Sequence, residues 1–341
     1  MTKEIMRGTG VAESKVVDPL AHHWHGEFDV LVVGLGAAGA SAAIEATSQG
    51  AKVAIIDRFN GGGSTALSGS VYYAGGGTAL QEKLNIKDDA DNMYRYLKHE
   101  VGSVVSDQTL QRFCQQSVDN FDWLQQQGVR YSGDVFTIKT THPRPEYSLY
   151  YSGNELLSST VEKTQTYSAP RGHVADGNAK ATGIGAGFFT ALERAARRLA
   201  AKFFQPIRVS RLLLDDQGRV IGVEIKQLYS WTLSGLLHRL ANKLANSTHM
   251  ASPKLSSKCR GWINQLEKRA VSRCIRANKG VILSSGGFIF NRDMVRQHLP
   301  EFLPARMLGQ AGDNGAGIAL GVSAGGVMKE MHSASAWRFI N

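Results

Sequence analysis

Three glycines near the start of the chain have the spacing of a turn that binds a dinucleotide. In residues 28–57 an apolar stretch leads into Gly34, Gly36 and Gly39, and a second apolar stretch ends at Asp57. In such a turn the first glycine allows a tight bend, the second lets a pyrophosphate approach the backbone, and the third lets helix and strand pack closely. The phosphates would lie at a helix N-terminus, where N–H groups and the helix dipole favour anions.

The residues around these glycines predict a strand, a helix and a second strand. Residues 28–33 are almost continuously apolar, as in a buried parallel strand, and the alanine-rich residues 37–49 predict a helix that ends at Gly50. Residues 51–57 predict the second strand, whose final carboxylate, Asp57, can accept hydrogen bonds from a ribose hydroxyl. This context predicts an α/β fold with a Rossmann-like domain, in which a parallel sheet carries helices.

Two further segments have clear patterns. Residues 106–128 predict an amphipathic helix that is capped by Ser106 and ended by Gly128. Residues 207–227 predict a β-hairpin, because alternating apolar residues flank a turn at residues 215–218. The predicted parallel sheet is therefore extended by a hairpin or meander.

Small and hydroxyl-bearing residues favour FAD over a nicotinamide dinucleotide. The stretches GGST, at residues 62–65, and LSGS, at residues 67–70, follow the second strand, and SSGG ends a later apolar stretch at residues 284–287. Glycines and hydroxyls in such number offer a ligand more backbone contact than NAD needs, although no physical argument excludes NAD. The sequence therefore predicts FAD as the cofactor.

The positive charge of the chain is concentrated in one segment. The net charge is +10, and residues 226–279 hold eleven of the 39 Lys and Arg residues but only one of the 29 acids, Glu267. This basic segment includes a helix-like stretch with Leu and Trp side chains. It predicts either peripheral contact with an anionic membrane or a solvated surface insertion, and the insertion is the favoured interpretation. No nucleic-acid-binding signature accompanies the charge. The apolar residues of the helix-like stretch are Trp231, Leu233, Leu236, Leu237, Leu240 and Leu244.

The N-terminal residues and the cysteines favour a cytoplasmic protein without a metal. Residues 1–27 have no apolar signal region and no twin arginine, and they predict a flexible leader. The histidines within residues 22–25 could bind a metal, but a solvated leader is the favoured interpretation. Cys114, Cys259 and Cys274 lack CxxC spacing, which is typical of a reducing compartment rather than of a disulfide framework.

Taken together, these motifs resemble the flavoprotein family of fumarate reductase and succinate dehydrogenase, and within it the 3-ketosteroid dehydrogenases acting at the 4,5 position. The resemblance extends over most of residues 28–326, with the basic segment as an insertion. The matching motifs are GLGAAG with Asp57 and Arg58, GGSTALSGS, RGH at residues 171–173, IRV near Val209, SSGGF, and GDNGAGIALG at residues 312–321.

The resemblance implies which residues hold FAD. Hydroxyl-bearing residues after the second strand would line the pyrophosphate and the flavin ring, Val209 would bind adenine through its backbone, and a late glycine pair would let the chain pass the ADP moiety. The candidate FAD contacts are Gly34, Gly36, Ala37, Ala38, Gly39, Asp57, Arg58, Gly63, Ser64, Thr65, Ser68, Gly69, Val209, Ser285, Gly286 and Gly287.

Two stretches favour a ketone substrate over a dicarboxylate. Fumarate reductases carry an HPTG-like segment where residues 332–339 read HSASAWRF, so the resemblance to a fumarate reductase-like enzyme is weaker. The stretch SGSVYYAGGG, at residues 68–77, instead resembles a loop of the ketosteroid dehydrogenases. The resemblance therefore implies a 3-oxo steroid as substrate, with Tyr72 and Tyr73 facing a flat apolar molecule, and an electron acceptor of unidentified nature.

The implied reaction removes an α-proton and transfers a β-hydride to flavin N5. A donor to the 3-oxo group acidifies the α-carbon, and a base takes the proton. Tyr73 is the candidate substrate-facing phenol, and a Tyr packed in the core is the alternative. Arg171 and His173 could bind the oxo group or tie down their loop, and the loop role is favoured.

The same resemblance divides the chain into domains. Residues 28–288 would form the FAD-binding domain, with the basic insertion at residues 226–279, and residues 289–341 would begin a substrate-capping domain. Because the family continues beyond that point, the sequence is interpreted as a fragment or the product of a truncated gene. A flavin-binding fragment without turnover is therefore a further alternative to an active dehydrogenase.

Overall fold

The computed structural model of the protein describes residues 2–177, 185–199, 201–228, 232–248 and 251–334. These residues form two compact units. The discontinuous unit comprises the described residues of Met1–Ser64 and Ala196–Asn341, and the inserted unit comprises those of Thr65–Ala195.

The strands of both units are short, apart from the hairpin and the strand that follows it. In chain order the described strands are β1 (Lys15–Val16), β2 (Glu27–Val33), β3 (Val53–Ile56), β4 (Val71–Tyr73), β5 (Asp134–Phe136), β6 (Tyr147–Tyr150), β7 (Gly172–Val174), β8 (Lys202–Phe204), β9 (Ile207–Leu214), β10 (Val220–Gln227) and β11 (Val271–Leu283).

The helices vary from one turn to about four turns. In chain order the described α-helices are α1 (Thr2–Ile5), α2 (Ala37–Ser48), α3 (Gly63–Leu67), α4 (Ala79–Lys83), α5 (Ala90–Val101), α6 (Asp107–Gln115), α7 (Ser117–Gln126), α8 (Ser158–Thr164), α9 (Ala186–Arg198), α10 (Leu233–Thr248), α11 (Pro253–Lys268), α12 (Arg292–His298) and α13 (Ala316–Ser323), and a 3₁₀ turn spans Pro300–Phe302. No helix in the described part of the chain is long and apolar enough to cross a bilayer.

The discontinuous unit is built on a seven-stranded sheet with the order β1-β9-β10-β11-β2-β3-β8. Strands β11, β2, β3 and β8 are parallel neighbours, and β10 is antiparallel to both of its neighbours. All four residues of β3 are buried, as expected for a central parallel strand. The predicted α/β fold with a Rossmann-like parallel sheet is confirmed.

The predicted hairpin is also confirmed. Strands β9 and β10 pair on either side of a turn. In this turn the Gly218 N–H donates to the Asp215 carbonyl at 3.1 Å, and the Asp215 N–H donates to the Arg219 carbonyl at 3.0 Å. Gly218 has a φ of +77°, a backbone conformation that suits glycine. Val223 lies opposite Leu212 and Ile225 lies opposite Val209, and all four are in the core. The predicted alternation therefore holds at Val223 and Ile225, whereas Ile221 is only half-buried.

The N-terminal residues differ from the predicted leader. Strand β1 pairs with β9, placing Lys15 opposite Leu213, and Ile5 is buried in a cluster with Met294 and Ala319. Thr9 is fully buried. Residues 2–27 are therefore part of the discontinuous unit, because their scattered apolar side chains find partners that lie far away in the sequence.

The limits of the basic insertion and of the predicted capping domain also change. The ends of the segment, residues 226–227 and 271–279, are strand residues, since Lys226 lies opposite Ser272 in the β10–β11 ladder. Among the described residues of the segment, helices α10 and α11 lie between these two strands and form the inserted part. Beyond residue 288, Leu320 of α13 packs in the central core cluster, so this helix belongs to the discontinuous unit rather than to a separate domain.

The inserted unit contains a four-stranded sheet with the order β4-β7-β6-β5 and helices α4 to α8. Ser106 caps α6, as predicted, by accepting a hydrogen bond from the Thr109 N–H. The predicted single helix is interrupted at Gln116, where α6 ends and α7 begins. Its apolar face is nevertheless buried at Leu110 and Phe121.

Candidate functional site

The turn between β2 and α2 has no room for side chains at two of its glycines. Gly34 has a φ of +106°, and a Cβ atom there would lie 2.5 Å from the carbonyl oxygen of Ser284, at the end of β11. A Cβ atom at Gly39 would overlap the carbonyl oxygen of Gly34. These contacts match the first and third glycine roles predicted from the spacing.

The N-terminus of α2 is suited to an anion. Gly36 is the N-cap residue in an extended conformation, no side chain among the described residues caps the helix there, and its first turn has no acid. Ala37 and Ala38 begin the helix with small side chains, so they do not shield it sterically. A helix end of this kind attracts phosphate through its dipole and backbone N–H groups.

Asp57 fixes the shape of this turn. Its Oδ2 accepts a hydrogen bond from the Leu35 N–H at 2.8 Å, and its Oδ1 accepts from the N–H groups of Phe59 at 2.8 Å and Gly61 at 3.3 Å. A carboxylate can accept about four hydrogen bonds, so roughly one position remains. The ribose role predicted for Asp57 is therefore joined by a structural role that the sequence analysis missed.

Arg58 contacts the helical insertion. Its Nε and Nη2 donate to the two oxygens of Glu267 at 2.7 and 2.9 Å, and Nη2 also donates to Asn264 at 2.7 Å. Only Nη1 is left for another partner, because a guanidinium has five N–H groups. The structure thus gives Arg58 a structural contact with Glu267, 209 residues further along the chain, and its role toward FAD stays a prediction.

A second group of contacts joins the end of β11 to the loop before α13. Ser64 Oγ donates to the Asp313 carboxylate, and the Gln310 N–H donates to Ser64 Oγ at 3.1 Å. A Cβ atom at Gly286 would overlap Asp313 Oδ1, and one at Gly309 would lie 2.6 Å from Ser64 Oγ. Asp313 is thus a central residue that the sequence analysis left without a role, although an acid within a glycine-rich motif was the available signal.

Ser285 carries an unusual hydroxyl. Its Oγ is buried and has no hydrogen-bond partner in the part of the chain that the structure describes. A buried hydroxyl without a partner costs about 1–3 kcal/mol, and a ligand oxygen would remove that cost. Ser285 adjoins the glycine turn, because a Cβ atom at Gly34 would lie 2.9 Å from the Ser285 Cα. The uncapped helix, the crowded glycines and this hydroxyl together fit a bound dinucleotide phosphate.

The remaining candidates of the discontinuous unit have simple surroundings. Val209 is buried, so that any contact with a ligand would use its backbone, as predicted. Gly63 begins α3 with a φ of +50°, and its ideal Cβ position lies 3.9 Å from the Gly36 Cα. Gly287 accepts a hydrogen bond from the Gly315 N–H at 2.9 Å and has open space where a Cβ atom would be.

Three predicted FAD contacts lie in the inserted unit. Ser68 Oγ donates to the Thr65 carbonyl at 2.8 Å, and the Gly185 N–H donates to the Ser68 carbonyl at 2.9 Å. The Gly69 carbonyl lies 2.8 Å from His142 Nε2. These residues are therefore held by local contacts within their own unit, and their role toward FAD stays a prediction.

Tyr73 has the wrong electrostatics for a base. Its hydroxyl donates to Glu155 Oε1 at 3.1 Å, and burial together with the Glu155 charge holds its pKa well above the ordinary range. Burial also raises the pKa of Tyr72. A tyrosine that removes a proton needs a lowered pKa, so these surroundings speak against Tyr73 as the base, whereas its place as a substrate-facing phenol stays a prediction.

The polar atoms of Arg171 and His173 form hydrogen bonds with other residues of the inserted unit. Arg171 is 1% exposed and donates through Nε and Nη2 to both oxygens of Asp88 at 2.8 Å. His173 is fully buried, and burial lowers its pKa to about 4. Its Nδ1 donates to the Arg171 carbonyl at 3.0 Å, so Nε2 accepts from Thr78 Oγ1 at 2.9 Å. These contacts support the favoured loop role and leave no imidazole nitrogen for an oxo group.

Comparison with known proteins identifies the class to which this chain belongs. The family model described as an FAD binding domain matches residues 29–336, so the chain is a member of that family and FAD is its cofactor. The predicted family and cofactor are thereby confirmed.

Individual relatives narrow the resemblance. The 3-oxo-5-alpha-steroid 4-dehydrogenase of Comamonas testosteroni is 37% identical over 324 residues, which cover 93% of this chain and 59% of the relative. The crystal structure of a 3-ketosteroid-delta4-(5alpha)-dehydrogenase from Rhodococcus jostii, in complex with 4-androstene-3,17-dione, has a TM-score of 0.76 and 27% identity and covers 92% of this chain and 57% of that one. A flavocytochrome c3 fumarate reductase shares the fold, with a TM-score of 0.63 and 18% identity. The match covers 89% of this chain and 42% of that one. The chain thus spans less than two thirds of the length of these relatives.

Proposed function

We propose that this protein is an FAD-dependent dehydrogenase that removes two hydrogens from adjacent carbons of a 3-oxo steroid at the 4,5 position. The identity of 37% to a steroid 4-dehydrogenase, maintained over 93% of the chain, is the observation that carries the proposal. The similarity to a structure described with a bound 3-oxo steroid supports the same substrate class.

The site in the discontinuous unit supports the cofactor part of this proposal. Helix α2 and the Ser285 hydroxyl would hold the pyrophosphate, and Asp57 would accept from a ribose hydroxyl. Bound FAD supplies the hydride acceptor of the reaction. The protein must also provide a base for the α-proton and a donor to the 3-oxo group.

The proposal places proton transfer outside the three residues that the sequence suggested. Tyr73 already donates its proton to Glu155, and both nitrogens of His173 have partners. The Arg171 guanidinium is held by Asp88. We therefore assign these residues to the stability of the inserted unit and not to the chemistry of the ketone.

The state of the cysteines supports a cytoplasmic location for this activity. Cys114, Cys259 and Cys274 are free thiols, and two of them are buried. Free thiols are typical of proteins in a reducing compartment. Fractionation of cells that express the chain, with detection in the periplasmic and cytoplasmic fractions, tests this location, and recovery from the periplasm would contradict it.

Anaerobic spectroscopy tests the proposed activity. The purified chain is reconstituted with FAD, and its visible flavin absorption is recorded before and after addition of a 5α-reduced 3-oxo steroid. The proposal predicts bleaching of the flavin band and formation of the 4-ene product. A parallel sample receives a steroid in which the 3-oxo group is replaced by hydrogen, and its band is expected to persist. Oxidation of the dithionite-reduced chain by fumarate, without bleaching by the ketosteroid, would overturn the proposal.

A further inference from the structure

Helix α10 packs against the protein through the opposite face from the one its apolar pattern would predict. Its buried residues are small or polar, whereas its leucines form a stripe with spacings of three and four residues. The buried residues are Gly235, His238, Asn242 and Ala245. The leucines, which are between 42% and 72% exposed, are Leu233, Leu236, Leu237, Leu240 and Leu244. Trp231 lies outside the described residues.

Helix α11 continues this apolar surface. Trp262 is 67% exposed and Leu255 is 41% exposed. The two helices, named here the helical hairpin, enclose a cleft of about 530 Å³ that Leu240, Leu244 and Trp262 line together. Leu237, Leu240, Leu244 and Trp262 thus share one apolar surface and are not scattered single residues, which would need no explanation.

Both helices of the helical hairpin also expose basic residues, and one of them, Arg269, lines the cleft. The only acid between residues 226 and 279, Glu267, is 3% exposed and forms ion pairs with Arg58 and Arg208. No negative side chain is therefore presented on the outside of the hairpin in the part that the structure describes. The exposed basic residues of the helical hairpin, including Arg269 at the C-cap of α11, are Arg239, Lys243, Lys254, Lys258, Lys268 and Arg269.

The attachment of the hairpin explains why its leucines face outward. Glu267 Oε1 accepts from His238 Nε2 at 3.1 Å as well as from Arg58, so one carboxylate links both helices to the loop after β3. The charges of Arg58 and Arg208 and the His238 hydrogen bond hold the pKa of Glu267 well below its usual range. The helical hairpin is thus attached by these polar contacts and by buried residues such as Ile263, on the face opposite its exposed leucines.

We propose that the helical hairpin docks on an anionic phospholipid bilayer. An apolar stripe rimmed by Lys and Arg is the pattern of helices that lie in the interface of such membranes. A second copy of the chain would bring two sets of like charges together, and a nucleic acid would leave the leucines and Trp262 uncovered. The inference stands on the hairpin alone and is independent of the steroid activity.

Vesicle sedimentation tests this inference with the full FAD-loaded chain. We expect binding to vesicles of phosphatidylcholine mixed with phosphatidylglycerol, and at least about tenfold weaker binding to phosphatidylcholine alone. The double variant Leu240→Ser/Trp262→Ser is expected to bind the anionic vesicles at least about tenfold more weakly. Lys243→Glu/Lys258→Glu is expected to remove the preference for anionic lipid.

A matched control removes apolar side chains elsewhere on the surface. Leu20 is 93% exposed and Ile138 is 66% exposed, and Leu20→Ser/Ile138→Ser is expected to bind vesicles like the wild type. Retained FAD content shows that each variant is folded. Equal binding to neutral and anionic vesicles, or unchanged binding by the Leu240 and Trp262 variant, would overturn the inference. The inference would also be overturned if the wild type did not bind vesicles but formed a dimer in light scattering or bound RNA, and the Leu240 and Trp262 variant lost that dimer or that RNA binding.

Discussion

The candidate flavin site of the discontinuous unit and the Arg171–His173 cluster of the inserted unit differ in how their polar groups are paired. At the first, the Ser285 hydroxyl lacks a partner among the described residues and α2 has no side-chain cap. In the second, Arg171 and His173 use their polar atoms on protein partners. Because unpaired buried polar groups are costly, the Ser285 hydroxyl beside the glycine turn is suited to a ligand oxygen, whereas the bonded polar atoms of Arg171 and His173 are suited to a structural role.

The largest expected effect on FAD binding concerns the glycine turn. In Gly39→Ala the new Cβ atom would overlap the Gly34 carbonyl, so the turn cannot keep its shape. We expect FAD affinity to fall by at least about a hundredfold, because α2 is displaced from the pyrophosphate. Fluorescence titration with FAD measures the loss. Gly280→Ala, at a position with open space in the same unit, is the control and is expected to bind FAD normally.

The second expected effect concerns the buried ion pair of the inserted unit. Asp88→Ala leaves the Arg171 guanidinium buried without its partner and is expected to destabilise the protein by about 3–5 kcal/mol. The double variant Asp88→Ala/Arg171→Met is expected to recover part of this free energy, which urea unfolding measures. A variant of Arg171 with normal stability and lost steroid turnover would instead give this residue a part in catalysis.

The third prediction concerns pH. The pKa of His173 is lowered to about 4 in the folded protein, so the imidazole is neutral there and gains a proton more readily when the chain unfolds. Stability is therefore lost as pH falls from about 6.5 through about 4, by roughly 3 kcal/mol in all. Subtracting the unfolding free energies of His173→Gln from those of the wild type isolates this change. A difference that stays constant over this pH range would show that His173 is not buried as a neutral group.

The smallest expected effect distinguishes two serines. Ser285→Ala removes the hydroxyl without a partner, and we expect FAD affinity to fall about fivefold while the stability of the apoprotein is unchanged or higher. Ser256 is also buried, but its Oγ donates to the Ala245 carbonyl at 2.8 Å. Ser256→Ala is therefore expected to cost about 1 kcal/mol of stability and no FAD affinity. The opposite pattern for the two variants would contradict the comparison.

Local patterns were sufficient to predict the centre of the fold. The β2–α2–β3 unit and the β9–β10 hairpin follow from continuous or alternating apolar residues and from glycines at their turns. The role of Gly39 was predictable for the same reason, because it acts through Gly34 in the same βαβ unit, whereas the contact of Gly34 with Ser284 joins residues far apart in the sequence.

Contacts between distant residues were not predictable in this way. Ser64 and Asp313 are 249 residues apart, and Arg58 and Glu267 are 209 apart, so no local pattern links them. The N-terminal residues were misinterpreted because the buried partners of Ile5, Met294 and Ala319, lie near the other end of the chain. The predicted bounds of the basic insertion, residues 226–279, included part of β11. Charged residues alternate with buried ones in this strand, so its apolar pattern is weak.

A side-by-side titration of FAD tests the central claim most directly. The wild type, Gly39→Ala and His173→Gln are each purified without cofactor, and their FAD dissociation constants are measured under identical conditions. The account predicts tight binding by the wild type and by His173→Gln, and a loss of at least about a hundredfold in Gly39→Ala. Normal FAD affinity in Gly39→Ala, with a comparable loss in His173→Gln, would place the cofactor away from the glycine turn and contradict the account.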